Sequence, residues 1–115
     1  MRVTTDLWVS SIVRRAFSSG GFAAVGRRGA TEAGAVFITL RDRNGELRLL
    51  GPAPQTSYDK AQPDERLFVE RARSIDEEDI QKRLDRELRF DADVWVVELE
   101  VDEAALENLV PVTTP

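Results

Sequence analysis

The sequence predicts an α+β domain. It has a leading helix, a mostly antiparallel sheet of about five strands and a second helix packed on that sheet, so α/β sandwich-like layers are expected. Three observations carry this. Apolar residues recur at helical spacing over residues 5–19 and again over 80–88. Period-two alternation marks strands over residues 66–73 and 94–101. Between two further apolar runs stands Asn44-Gly45, the strongest short-range hairpin signal.

In the first helix Trp8, Val9, Ile12, Val13, Ala16 and Phe17 share one face. Thr4 or Thr5 caps its start and Gly20-Gly21 stops it, because one glycine takes the left-handed position after the cap. Arg14 and Arg15 fall near its C-terminus, where positive charge is favoured. Phe22–Val25 reads as a short strand, Ala35–Asp42 as a second and Glu46–Gly51 as a third, in meander order. A two-residue Asn-Gly loop would set Leu40 opposite Leu49 and Arg41 opposite Arg48. Like charges so opposed destabilise a sheet face unless it is solvated or covered by acid.

Pro52 and Pro54 end the third strand. A long loop through Tyr58 and Lys60 follows, and Arg66–Arg73 reads as the fourth strand. Ser74 and Glu77 form a capping box for the second helix, whose first turn is acidic and whose later turns are basic. Glu78–Lys82, Asp79–Arg83 and Asp85–Arg89 are spaced as i,i+4 pairs. Val94–Val101 is apolar on both faces at its start, as an inner strand requires, and Glu98 and Glu100 then point outward together. A short helix from Asp102 to Leu109 precedes a tail expected to fray. Residues 1–115 are taken as one domain, with 101–115 its short helix and tail.

The chain has no Cys and no His. That removes thiol nucleophiles, disulfides, Ser-His and Cys-His triads and the usual zinc ligands. No apolar run approaches the roughly 20 residues that span a bilayer, and no signal peptide is evident, so a cytoplasmic protein without membrane contact is expected. Of 16 basic residues, 14 are Arg. Residues 1–50 carry a net +4 and residues 51–115 a net −9. Such a bipolar chain pairs its halves internally, pairs with a second copy, or leaves an anion-seeking face. The overall balance argues against nucleic acid as a partner.

Few side chains qualify as a site. Gly26-Arg27-Arg28-Gly29 has the spacing of a nucleic-acid-binding GxxG loop but follows a strand, so its glycines read as a turn or bulge. The helix–strand–hairpin–helix–strand order is shared with metal-dependent nucleases. Here, however, Glu46-Leu47-Arg48 lacks the expected Lys and Asp42 falls beside the turn. Asp91, Asp93, Glu98 and Glu100 are oxygen donors for a divalent ion or a plain solvated rim. What remains is a cluster of Arg27, Arg28, Arg41 and Arg48, expected to bind an anion or an acidic partner. No catalytic residue, metal ligand or cofactor is assigned.

Taken together, Leu7-Trp8-Val9-Ser10, Arg14-Arg15, Gly20–Val25, Arg27-Arg28-Gly29, Glu32–Ala35, Gly51–Gln55 and Arg86–Glu98 resemble a family of short bacterial proteins, the domain of unknown function 1491. The resemblance covers about residues 1–101 and implies a small cytoplasmic α/β-type protein with no assigned activity.

The expected function is therefore a binding or regulatory module, not an enzyme, that uses an Arg-bearing sheet face and pairs with itself or another protein. The alternative is a degenerate nuclease-like fold or a carboxylate-metal hydrolase. Magnesium or manganese separates the two: the hydrolase gains thermal stability with the ion, whereas the binding module keeps the same melting temperature.

Overall fold

Val94, Trp95, Val96 and Val97 form a run without a charged side chain, and such a run needs cover on both faces. It finds that cover in the interior of a five-stranded sheet. The architecture is that of a computed structural model describing residues 3–54 and 66–113. Tyr58 and Lys60, in the expected long loop, and the last two residues lie outside the described residues.

The elements are α1 (Thr5–Ser18), β1 (Phe22–Arg27), β2 (Val36–Arg41), β3 (Leu47–Pro52), β4 (Phe68–Ser74), α2 (Glu77–Phe90), β5 (Trp95–Glu100) and α3 (Glu103–Leu109). The strand order is β1-β5-β2-β3-β4. Three of the four pairings are antiparallel, and β2–β5 is parallel. The protein is thus α+β with helices packed on a mostly antiparallel sheet. The meander order expected for the first three strands does not occur. β5 stands between β1 and β2, because its doubly apolar start is satisfied only at an inner position.

The sheet separates two cores. On one face Val9, Ile12 and Ala16 of α1 and Leu106 and Leu109 of α3 pack on Ile38, Leu40, Leu50, Trp95, Val97 and Leu99. On the other, Ile80 and Leu84 of α2 pack with Phe37, Leu47, Leu49, Val94 and Val96. Both tryptophans are on the first face, as their spacing predicts. Trp95 is fully buried and its Nε1 donates to the Ala30 carbonyl at 2.7 Å. Trp8 is half-buried and stacks on Phe68.

Local signals set most boundaries. Thr4 caps α1, its side chain accepting from the Leu7 N–H at 3.3 Å. Two more N–H groups of the first turn donate to the Thr31 and Glu32 carbonyls, so α1 is tied to the β1–β2 connector. Gly20 follows the helix with φ +86°. The cap of α2 is Asp76 in place of Ser74. The Asp76 carboxylate accepts from the Glu78 N–H at 2.9 Å, while the Ser74 hydroxyl accepts from the Asp76 N–H and donates to Asp79. That engages Asp79 away from Arg83, which bridges to Glu87 at 3.3 Å. Among the described residues, none of the three i,i+4 pairs expected along α2 forms.

Two further expectations are corrected. The β2–β3 loop holds three residues, not two. The Asp42 N–H donates to the Glu46 carbonyl at 3.0 Å, and the Gly45 N–H donates to the Asp42 carbonyl at 3.2 Å. Gly45 takes φ +84°, which marks a type I turn closed by a glycine bulge. The Asp42 side chain favours this turn by accepting from the Asn44 and Glu46 N–H groups. The register therefore slips by one: Arg41 opposes Leu47 and Leu40 opposes Arg48. A one-residue slip moves a side chain to the other face, so Arg41 and Arg48 lie on opposite sides of the sheet. The tail after α3, in turn, does not fray over residues 110–113. Val110 is buried, the Phe68 N–H donates to the Pro111 carbonyl, and the Thr113 N–H donates to the Phe68 carbonyl at 2.7 Å.

Gly45→Ala places a Cβ at a positive φ and is expected to cost about 1 kcal/mol. The corresponding fall in melting temperature is about 4 °C. An unchanged melting temperature in a thermal scan would contradict the bulged turn.

Candidate functional site

The structure does not gather the four candidate arginines. The β2–β3 turn puts Arg48 on the face of α1 and α3, where its side chain is only 13% exposed. Its Nε donates to Glu70 at 2.6 Å. Directly across the β3–β4 pair stands Arg73, so two arginines do oppose one another, but they are Arg48 and Arg73. Glu70 lies between them and accepts from Arg73 at 2.8 Å, and Arg73 also donates to Glu46 at 2.7 Å. Acid covers the like charges, and the cluster holds β4 to the hairpin. Arg28 lies on the same side of the sheet near α1. Its guanidinium is 4.9 Å from the centre of the Trp95 ring and 3.4 Å from Asp6.

Arg27 and Arg41 are on the opposite side and line one cleft. The cleft exists because α2, centred on β3 and β4, reaches the first part of β2 and β5 through Ile80 and Leu84 and leaves the β1 side of that face open. It measures about 410 Å³. Its floor is Val96, Thr39 and Phe22, with Glu98 and Glu100 rising from β5. The wall is Glu77, Ile80, Gln81, Leu84 and Leu88 of α2. Arg41 stands at one end, 3.5 Å from Glu100 and 3.9 Å from Glu77, two loose pairs at a wet surface. Arg27 stands at the other and donates to the Ala92 carbonyl at 3.0 Å. Glu98 has no ion pair among the described residues and lies over Gly26, where a Cβ would come within 2.9 Å of its carboxylate.

The residues considered for metal chemistry are engaged otherwise. Asp42 holds the hairpin turn, Glu46 binds Arg73 and Arg48 binds Glu70. Asp91 accepts from the Asp93 N–H in the turn before β5. Among the described residues no three carboxylates converge as a metal-binding group.

Sequence reasoning missed the wall of the cleft. Glu77 and Gln81 read as a helix start and a solvated face, and nothing local brings them near Arg27, 50 and 54 positions earlier. Only the crossing of α2 over the sheet does so. The outward pair Glu98 and Glu100 was legible from strand alternation.

Class and family follow from this frame. A five-stranded, mostly antiparallel sheet between helix layers, with a mixed-charge cleft on one face, defines a small layered α+β protein. Residues 3–109 match the family model described as protein of unknown function (DUF1491). The chain belongs to the DUF1491 family. Three solved structures are similar to it. The solution structure of protein Atu0922 from A. tumefaciens is 43% identical, with a TM-score of 0.83, and the match covers 100% of this chain and 98% of that one. The crystal structure of a DUF1491 family protein from Caulobacter crescentus is 36% identical, with a TM-score of 0.77 and coverage of 96% and 99%. An NMR structure of a DUF1491 family protein from the same organism is 35% identical, with a TM-score of 0.77 and coverage of 98% of both chains. No curated protein matches. The function of the domain is unknown, and neither the comparisons nor the engaged carboxylates support a nuclease or hydrolase. Among the described residues no helix is long and apolar enough to cross a membrane.

The charge cluster makes stability depend on pH. Hydrogen bonding from Arg73 holds the Glu70 carboxyl below its ordinary value of 4.5; burial, the next largest effect, opposes it, and hydrogen bonding from Arg48 adds to the lowering. A lowered folded-state value means the contribution is complete above pH 4.5 and is lost as pH falls through the lowered value. Glu70→Gln is expected to lower the melting temperature at pH 7 and to flatten its fall below pH 4.5. Parallel melting curves for the two proteins across that acid range would show that Glu70 contributes nothing.

Proposed function

We propose that the protein is a cytoplasmic binding or regulatory module, not an enzyme. It associates with itself or with another protein and holds a segment of its partner in the cleft beside α2. Arg27 and Arg41 contact carboxylates of that segment, and an apolar side chain rests against Phe22, Leu84 and Leu88. Arg28 and Arg48 serve the fold.

The observation that carries this reading is the open β1 side of the sheet face. The helix layer stops short of it, and the cleft there mixes apolar surface with both signs of charge. Such a mixture suits a protein surface, whose core contacts are apolar and whose rim is polar. A small anion alone fits less well, because Glu77 and Glu100 already flank Arg41. Nucleic acid is disfavoured for the same reason, since Glu98 and Glu100 would face its phosphates.

The test fills the cleft without touching either core. Gln81→Trp combined with Arg41→Glu is expected to cut capture of the protein's partner from a bacterial extract by about tenfold, a loss of about 1.4 kcal/mol. Circular dichroism and melting temperature should hold. Equal capture by both proteins would refute the cleft as the contact surface.

A further inference from the structure

The two edges of the sheet are finished differently. The β4 edge is covered. Pro111 and Thr113 hydrogen-bond to both backbone groups of Phe68, Val112 forms a parallel bridge with the same residue, and Glu70, Arg71 and Arg73 add charge along the strand. Covering segments and charges are how proteins keep an edge from pairing with another chain.

The β1 edge is less protected. Phe22-Ala23-Ala24-Val25-Gly26 contains no charge and no proline, and the bulge and the charge of Arg27 come only at the strand's end. β1 pairs with β5 on one side, and among the described residues no backbone group of residues 22–27 bonds on the other side. Apolar side chains flank this edge on both faces: Phe22 is 47% exposed on the cleft side and Val25 is 39% exposed on the α1 side. Phe17 of α1 stacks edge-on against Phe22 at 5.7 Å and extends the apolar rim.

We propose that two copies of this chain associate by antiparallel pairing of their β1 strands about a twofold axis at Ala24, joining two five-stranded sheets into one. A twofold axis perpendicular to the sheet puts residues of the same face opposite each other, so Phe22 of one protomer meets Gly26 of its partner. Charge agrees as well. Arg27, just past the bulge, is carried beyond the partner's Phe22 towards Glu100, the residue paired with Phe22 across β5. Each Arg27 then approaches an acidic row of the opposite protomer, and the two open β1 sides merge into one groove.

This inference rests on the self-association part of the reading above and not on the cleft. A monomeric protein that still loses its partner when the cleft is filled would overturn this proposal alone.

The chain has no cysteine, so Ala24→Cys supplies a single thiol. At a twofold axis between antiparallel strands the two Cα atoms are about 4.5–5.5 Å apart, within the span of a disulfide. Under mild oxidation Ala24→Cys is expected to form a covalent dimer, while Asn44→Cys at the hairpin tip stays monomeric. In sedimentation velocity at about 0.1 mM the unmodified chain should run as a dimer, and Ala24→Lys should weaken it by about tenfold or more. If Ala24→Lys does not fold, Val25→Lys, whose side chain points outward, serves in its place. A monomeric unmodified chain at that concentration, or equal cross-linking at positions 24 and 44, would overturn the dimer.

Discussion

The position of β5 governs the rest of the structure. Its first residues are apolar on both faces, and Trp95, Val96 and Val97 are all buried. A strand of that kind is stable only with neighbours on both sides and a layer on each face. β5 lies antiparallel to β1 and parallel to β2. A parallel neighbour must be reached by a crossover, and α2 is the element that makes it. Two cores, one on each face, follow from that single insertion. So does the cleft, because an α2 anchored on β3 and β4 leaves the β1 side of its face uncovered.

Charge in this protein works mainly within the chain. A positive N-terminal half and a negative C-terminal half left open internal pairing, a second copy or an anion-seeking face. Several of the arginines meet acids or carbonyls from distant parts of the same chain: Arg28 with Asp6, Arg41 with Glu100, Arg48 with Glu70 and Arg15 with the Asn108 carbonyl. Exposed pairs of this sort each contribute little to stability. The Glu46–Arg73–Glu70–Arg48 chain is different, because it is a connected network with Arg48 largely covered. It neutralises two arginines that strand pairing sets face to face.

Much of the fold was legible in the sequence, and the failures have identifiable causes. The helices, the five strands, the inner character of β5 and the outward Glu98 and Glu100 all follow from periodicity, which is a local property. The hairpin was recognised but its register was not. Asn44-Gly45 fits a two-residue loop, yet the Asp42 carboxylate captures two backbone N–H groups and selects the three-residue turn. One residue of slip sent Arg41 and Arg48 to different faces and dispersed the expected cluster. The cleft, too, was half legible: Arg27 and Arg41 were singled out, but their neighbours on α2 were not.

The sequence alone determined where the helices and strands lie, most of the residues that turn inward, and which chemistries the chain lacks side chains to perform. Each of these depends on contacts within a few positions or on composition. The tertiary structure decided strand order, the face on which each arginine lies, the docking of residues 110–113 on β4 and the bare edge of β1. Those depend on pairings between segments far apart in the chain. Periodicity says that a strand has two faces, but not which strand lies beside it.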